Sequence, residues 1–124
     1  MTQEDKQLLI RDLYARLPYG FTIHRYSDNR DITFEPSELD EFAHFLEYSE
    51  GKEFKPYLRP ISSMTEEEKL KLEDMEFEIA HLKFTTYAHE CMILDYLYSR
   101  HLDVRGLIPM GLALEAPEGM YKNN

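Results

Sequence analysis

Chemistry needs particular side chains at particular spacings, and this chain approaches such spacings without completing them. His89 and Glu90 begin the pattern in which two histidines one helical turn apart hold zinc and the glutamate acts as base. The second ligand belongs at position 93, which is Ile93. His81 and His101 do not share one narrow helix face with His89, so no metal is assigned. Cys91 could be a nucleophile with His89 or His101 as its base. It stands in the apolar run Cys91 to Leu94, which reads more simply as a small buried hydrophobe.

Ser62 and Ser63 lack the Gly-x-Ser-x-Gly frame of a nucleophile elbow. The five glycines are scattered, so no loop can cradle a phosphate and no cofactor is expected. Carboxylates are so numerous that a pair at hydrolase distance means little without a cleft. The acids of the middle segment could imitate a nucleic-acid backbone: Glu35, Glu38, Asp40, Glu41, Glu66, Glu67, Glu68, Glu73, Asp74, Glu76 and Glu78. The simpler reading is a solvated helix face. Tyr57, Arg59 and Arg105 form a different candidate, because tyrosine and arginine dominate interface hot spots and Arg59 precedes Pro60 in a stiff segment. The structural alternative is that Arg59 and Arg105 each pair with an acid and hold the C-terminal tail.

The elements that must position these groups are legible in outline. Thr2 and Asp5 cap a helix whose stripe is Leu9, Ile10, Leu13 and Leu17, ended by Pro18, Tyr19 and Gly20. Alternation over Phe21–Tyr26 and Ile32–Glu35, around a polar turn at 27–30, predicts a hairpin. Ser37 and Asp40 suggest a cap for a short helix carrying Leu39, Phe42, Phe45 and Leu46 and ending near Glu50 and Gly51. Phe54 to Ile61, with Pro56 and Pro60, reads as extended or turn-like, as an edge strand would be. Thr65 and Glu68 form a capping box, and Leu72, Met75, Ile79 and Leu82 predict a helix over 66–82. Met75, Phe77 and Ile79 also alternate, so a strand competes there. After a break at 85–86, a second helix runs from Tyr87 to Arg100. The tail from Leu102 is irregular but docked, because Leu107, Ile108, Leu112 and Leu114 need cover.

The bulk composition narrows the class. A chain of 124 residues with 43% hydrophobic and 13% aromatic content is long enough for one core and is not compositionally disordered. The expected architecture is α+β: one small domain, a short antiparallel β element packed on two or three helices, and a docked C-terminal tail. One cysteine cannot form an internal disulfide, and no signal-peptide or membrane-spanning stretch is present, so the expected location is the cytoplasm. Residues 35–80 hold fourteen acids against five bases and account for most of the net charge of −10. Such a surface repels phosphates and argues against direct nucleic-acid binding. It admits a protein partner. The Leu72 to Leu82 stripe and the apolar stretch Cys91 to Leu97 could also make a homodimer seam.

Several phrases carry a resemblance. They are Arg11-Asp12-Leu13 with Ala15-Arg16-Leu17-Pro18-Tyr19-Gly20, then Lys55-Pro56-Tyr57-Leu58-Arg59-Pro60 and Ser62-Ser63-Met64-Thr65-Glu66-Glu67-Glu68. Later come Asp95-Tyr96-Leu97 with His101, Arg105-Gly106-Leu107-Ile108, and Gly111-Leu112-Ala113-Leu114-Glu115-Ala116-Pro117. In this order they resemble a family of short uncharacterised proteins from gut anaerobic bacteria, their phages and mobile elements. Residues 21–54 and 69–90 depart from it. The resemblance implies an accessory role tied to phage or mobile DNA. Together these readings lead to a non-enzymatic protein-interaction protein, with an acidic nucleic-acid-mimicking inhibitor and a small hydrolase of unrecognised site as the alternatives.

Overall fold

A computed structural model of the protein describes residues 2–48, 53–82 and 86–121; the side chains of residues 78–82, 86, 87 and 89 are not described. Helix α1 spans Gln3–Arg16. The Thr2 hydroxyl accepts the Asp5 N–H at 3.0 Å, and Glu4 and Asp5 lie where the helix dipole favours acids. One 3₁₀ turn, Leu17–Tyr19, follows, and Gly20 turns the chain into the sheet at φ +79°. A Cβ at Gly20 would also lie 3.1 Å from the Phe34 carbonyl oxygen, a tight contact that adds to the conformational preference for glycine.

Strands β1 (Phe21–Arg25) and β2 (Arg30–Phe34) form the predicted hairpin, with Asn29 in the left-handed region of its turn. Helix α2 spans Leu39–Tyr48. It starts later than a Ser37 cap implies. The Phe42 N–H bonds the Glu38 carbonyl, and the Glu38 carboxylate turns back onto the Glu35 N–H at 2.9 Å. Strand β3 is Phe54–Leu58, α3 is Glu66–Leu82, α4 is Thr86–Ser99 and β4 is Leu114–Glu115. The α+β expectation holds. The sheet is larger than a lone antiparallel element: its order is β2-β1-β3-β4, antiparallel except for the parallel β3–β4 pair. For α3, the helical period wins over the competing alternation.

Pro56 and Pro60 suggest an edge strand, but β3 lies inside the sheet. The Tyr26 N–H bonds the Glu53 carbonyl, so even-numbered residues of β1 point their amides toward β3 and odd-numbered ones toward β2. Ile23 and Pro56 therefore face each other as a non-hydrogen-bonded pair. The nitrogen of Pro56 points toward β4, whose pairing begins only at Tyr57. A proline at this register removes no ladder bond.

One face of the sheet carries the core. Phe21, Ile23, Phe34, Phe54 and Leu58 meet Leu9, Leu13 and Leu17 of the first helical segment and Phe42 of α2. The Phe42 ring lies edge-on to Phe21 at 5.1 Å and to Phe34 at 5.2 Å. The tail docks as expected. Buried Asp103 accepts the Leu107 and Ile108 N–H groups at 2.8 and 2.9 Å, turning the chain so that Leu107, Leu112 and Ala113 join the core.

The seam between β1 and β3 is closed by a side chain. Thr22 and Tyr57 would be the next hydrogen-bonded pair. Instead the Tyr121 hydroxyl accepts the Thr22 N–H at 3.0 Å and donates to the Tyr57 carbonyl at 2.8 Å. Its ring stacks on His101 with centroids 3.9 Å apart. One residue further along, Arg59 pairs with the 101–103 segment: its N–H bonds the His101 carbonyl and its carbonyl accepts from Asp103, both at 2.8 Å.

Candidate functional site

The three residues singled out from sequence occupy three different environments. Tyr57 is on the sheet face opposite the core. Its hydroxyl donates to Asp31 Oδ1 at 2.9 Å, and the same oxygen lies 2.8 Å from His24 Nδ1. The β1–β2 register creates this group by setting His24 opposite Asp31. The His24 ring lies edge-on to Tyr26 at 4.7 Å, and Lys55 Nζ is 5.9 Å from the Tyr26 ring. The His24 contact holds the Asp31 carboxyl below the usual range, with the Tyr57 hydroxyl adding to it. Burial first, and Asp31 second, push the Tyr57 phenol up. His24 and Asp31 were not read as a pair from sequence; the signal was their register across the 27–30 turn.

Arg59 serves the fold. Thr65 and Glu68 make the reciprocal capping box: Thr65 N–H to Glu68 Oε1 at 2.9 Å, Glu68 N–H to Thr65 Oγ1 at 3.2 Å. The same carboxylate, with 1% of its side chain exposed, takes both terminal nitrogens of Arg59 at 2.8 Å and Arg100 Nε at 2.7 Å. The Arg59 hydrogen bonds are the largest influence holding Glu68 far below the ordinary carboxylate range. Arg59 also donates to the carbonyls of Arg100 and Ser63.

Arg105 belongs to a second cluster of the same kind. Asp12, fully buried, takes Arg16 Nε at 2.6 Å and lies 3.4 Å from Arg105 Nε. Arg105 also reaches the Tyr98 hydroxyl at 3.1 Å, and the Arg16 guanidinium sits 4.8 Å from the Tyr98 ring centroid. Each buried carboxylate is thus held between two arginines. Together they pin the base of α3 and α4 to α1 and β3.

The remaining candidates separate as follows. The side chains of His81 and His89 lie outside the described residues. His101 is stacked on Tyr121. Burial, with Arg16, Arg59 and Arg100 nearby, lowers its pKa to about 4. Cys91 is exposed, which corrects the buried reading. The Ser63 hydroxyl donates to the Pro60 carbonyl at 2.7 Å. Among the described residues, no group of three or more metal-ligating side chains converges, and no helix is long and apolar enough to cross a membrane.

The acids of the middle segment divide between two elements. Glu35, Glu38, Asp40 and Glu41 lie at the start of α2. Glu66, Glu67, Glu73, Asp74 and Glu76 are exposed on α3, while Glu68 is buried. Helices α3 and α4 pack on each other and contribute no described residue to the main core cluster. Met75 is buried and Leu72 half-buried, whereas Leu70, Phe77, Met92 and Leu94 are exposed by 40–61%. No family model, curated protein or solved structure matches the chain.

Proposed function

We propose that this is a non-enzymatic protein-interaction protein that docks through the α3–α4 hairpin. The supporting observation is the apolar surface of that hairpin. Between Thr86 and Ser99 the only acids or bases besides His89 are Glu90 and Asp95, yet Met92 and Leu94 face solvent. A helix so poor in charge is ordinarily covered. Its companion α3 presents Leu70 and Phe77 among carboxylates. The matching partner has an apolar groove rimmed by lysine or arginine: burial supplies the affinity, and charge supplies orientation and on-rate. The link to phage or mobile-element biology rests on the phrase resemblance alone.

The test is a nuclease-treated pull-down at about 0.1 and about 0.5 M salt, comparing the native chain with a Met92→Ser, Leu94→Ser variant. A partner held at both salts by the native chain and lost by the variant supports the reading. A DNA-binding protein lost at the higher salt from both chains favours acidic mimicry instead, because screening removes charge contacts first. A partner indifferent to the variant places the contact elsewhere.

A further inference from the structure

The outer edge of β2 is the other surface that asks for cover. Odd-numbered residues of β1 point their amides at β2, so the pairs Phe21–Phe34, Ile23–Ile32 and Arg25–Arg30 carry the β1–β2 ladder. Asp31 and Thr33 therefore turn their N–H and C=O groups outward, along an edge with no strand beside it among the described residues. On the core side of that edge is an open cavity of about 310 Å³ between β2 and α2, lined by Arg25, Ile32, Phe34, Glu41, His44, Phe45 and Tyr48. Natural sheets blunt free edges because such edges recruit strands.

We propose that a second copy of this chain occupies the edge, its β2 running antiparallel to the first about a two-fold axis at Ile32. Charge fixes both the occupant and the register. Arg30 lies at one end of β2, while Glu35, Glu38 and Glu41 cluster at the other. Asp28 and Asp31 offset Arg25 and Arg30 at the first end, so the asymmetry lies in the exposed Arg30 side chain, which a two-fold axis lays against the partner's acidic end. Three antiparallel registers satisfy the outward amides of Asp31 and Thr33. One sets Asp31 against its own copy, and another sets Asp31 against Glu35; like charges directly opposite are destabilising. The third sets Asp31 against Thr33 and Ile32 against Ile32. It alone keeps carboxylates apart. It also places Arg30, 77% exposed and only 3.8 Å from Asp28 at best, opposite the partner's Phe34 and within reach of the partner's Glu41. The incoming Ile32 and Arg30 side chains enter the cavity. The contact is isologous, so it closes at two subunits and does not propagate. With five residues in the strand, the interface falls at the small end of the range for specific complexes, so association belongs at micromolar concentration.

Sedimentation equilibrium of the full chain, from about 1 to about 500 µM, reads this directly. The expected result is a weight-average mass rising toward twice the monomer. Thr33→Pro removes one outward N–H without touching the β1 ladder and should stay monomeric. Thr33→Val keeps the N–H, loses the Thr22–Thr33 hydroxyl contact, and should dimerise like the native chain. Arg30→Glu should weaken association at least tenfold, and adding Glu41→Arg should restore it. If Thr33→Pro does not fold, the charge-swap pair decides alone. A native chain that stays monomeric throughout overturns the proposal. So does association that ignores the charge swap, or that is abolished by Met92→Asp instead, which would place the seam on the α3–α4 hairpin.

Discussion

Two carboxylates, Glu68 and Asp12, do at residue scale what a larger core would do elsewhere: they join segments distant in sequence. Replacing Glu68 with Gln leaves a capping group but removes the buried negative charge that Arg59 and Arg100 share, and should cost about 3 kcal/mol in denaturant unfolding. Two acid-sensitive groups should separate cleanly by pH. His101 has a lowered pKa of about 4 in the fold against an ordinary 6.5. The unfolded chain therefore binds its proton first, and stability should fall as pH drops from about 6.5 to about 4, then level for this group. Glu68 is also held low, so its contribution is whole above its ordinary value and drains away below it. Thermal melts from pH 8 to pH 3 should show the first decline vanish in His101→Asn, which suits the left-handed backbone at φ +63°, and the second vanish in Glu68→Gln. The Thr65–Glu68 box was readable from its spacing; the second duty of Glu68 was not, because both arginines reach it from other elements. Asp12 and Arg16 were not read as a pair, because acid–base spacing of four residues in a helix ordinarily marks a solvent-facing bridge.

At the scale of elements, the outcome follows how local the determining interaction is. The described parts of the helices and the β1–β2 hairpin were legible from caps, period and turn residues; Thr85 of the expected break at 85–86 and the helix end near Glu50 and Gly51 lie outside the described residues. The interior position of β3 was not: two prolines argued for an edge, and β4 is only two residues long. The register that hides Pro56 depends on β1, which is distant in sequence. The α3–α4 hairpin should be the least protected helical part. Native-state amide exchange should show the described amides of α4 exchanging well before those of β1 and β3. Met92→Ser should change stability by less than about 0.5 kcal/mol. Met75→Ala, at the buried α3 face, should cost about 2 kcal/mol or more. A flat exchange profile across α4 and the sheet would contradict this description of the hairpin.

At the scale of the whole molecule, distant segments converge on β3. Along one side it meets β1, then the Tyr121 hydroxyl, then the 101–103 segment. Tyr121→Phe keeps the ring on His101 but leaves the Thr22 N–H and the Tyr57 carbonyl without their bridge. It should cost about 1–2 kcal/mol, with the Thr22 amide exchanging faster while α2 amides keep their rates. The α+β class and the docked tail were within reach of pattern reasoning. The Tyr121 bridge was not, since nothing local marks one tyrosine among nine.

That bridge also sets an order of events on the ribosome. Thr22 and Tyr121 are 99 residues apart. At about 5–20 residues per second, roughly 5 to 20 seconds pass between the synthesis of one and the other. During that interval β1 and β2 can pair, and β3 can join them, but the seam at Thr22 and Tyr57 stays open. The nascent chain therefore carries an unfinished sheet until Tyr121 has cleared the exit tunnel, which makes that interval an opportunity to meet a chaperone or a neighbouring nascent chain.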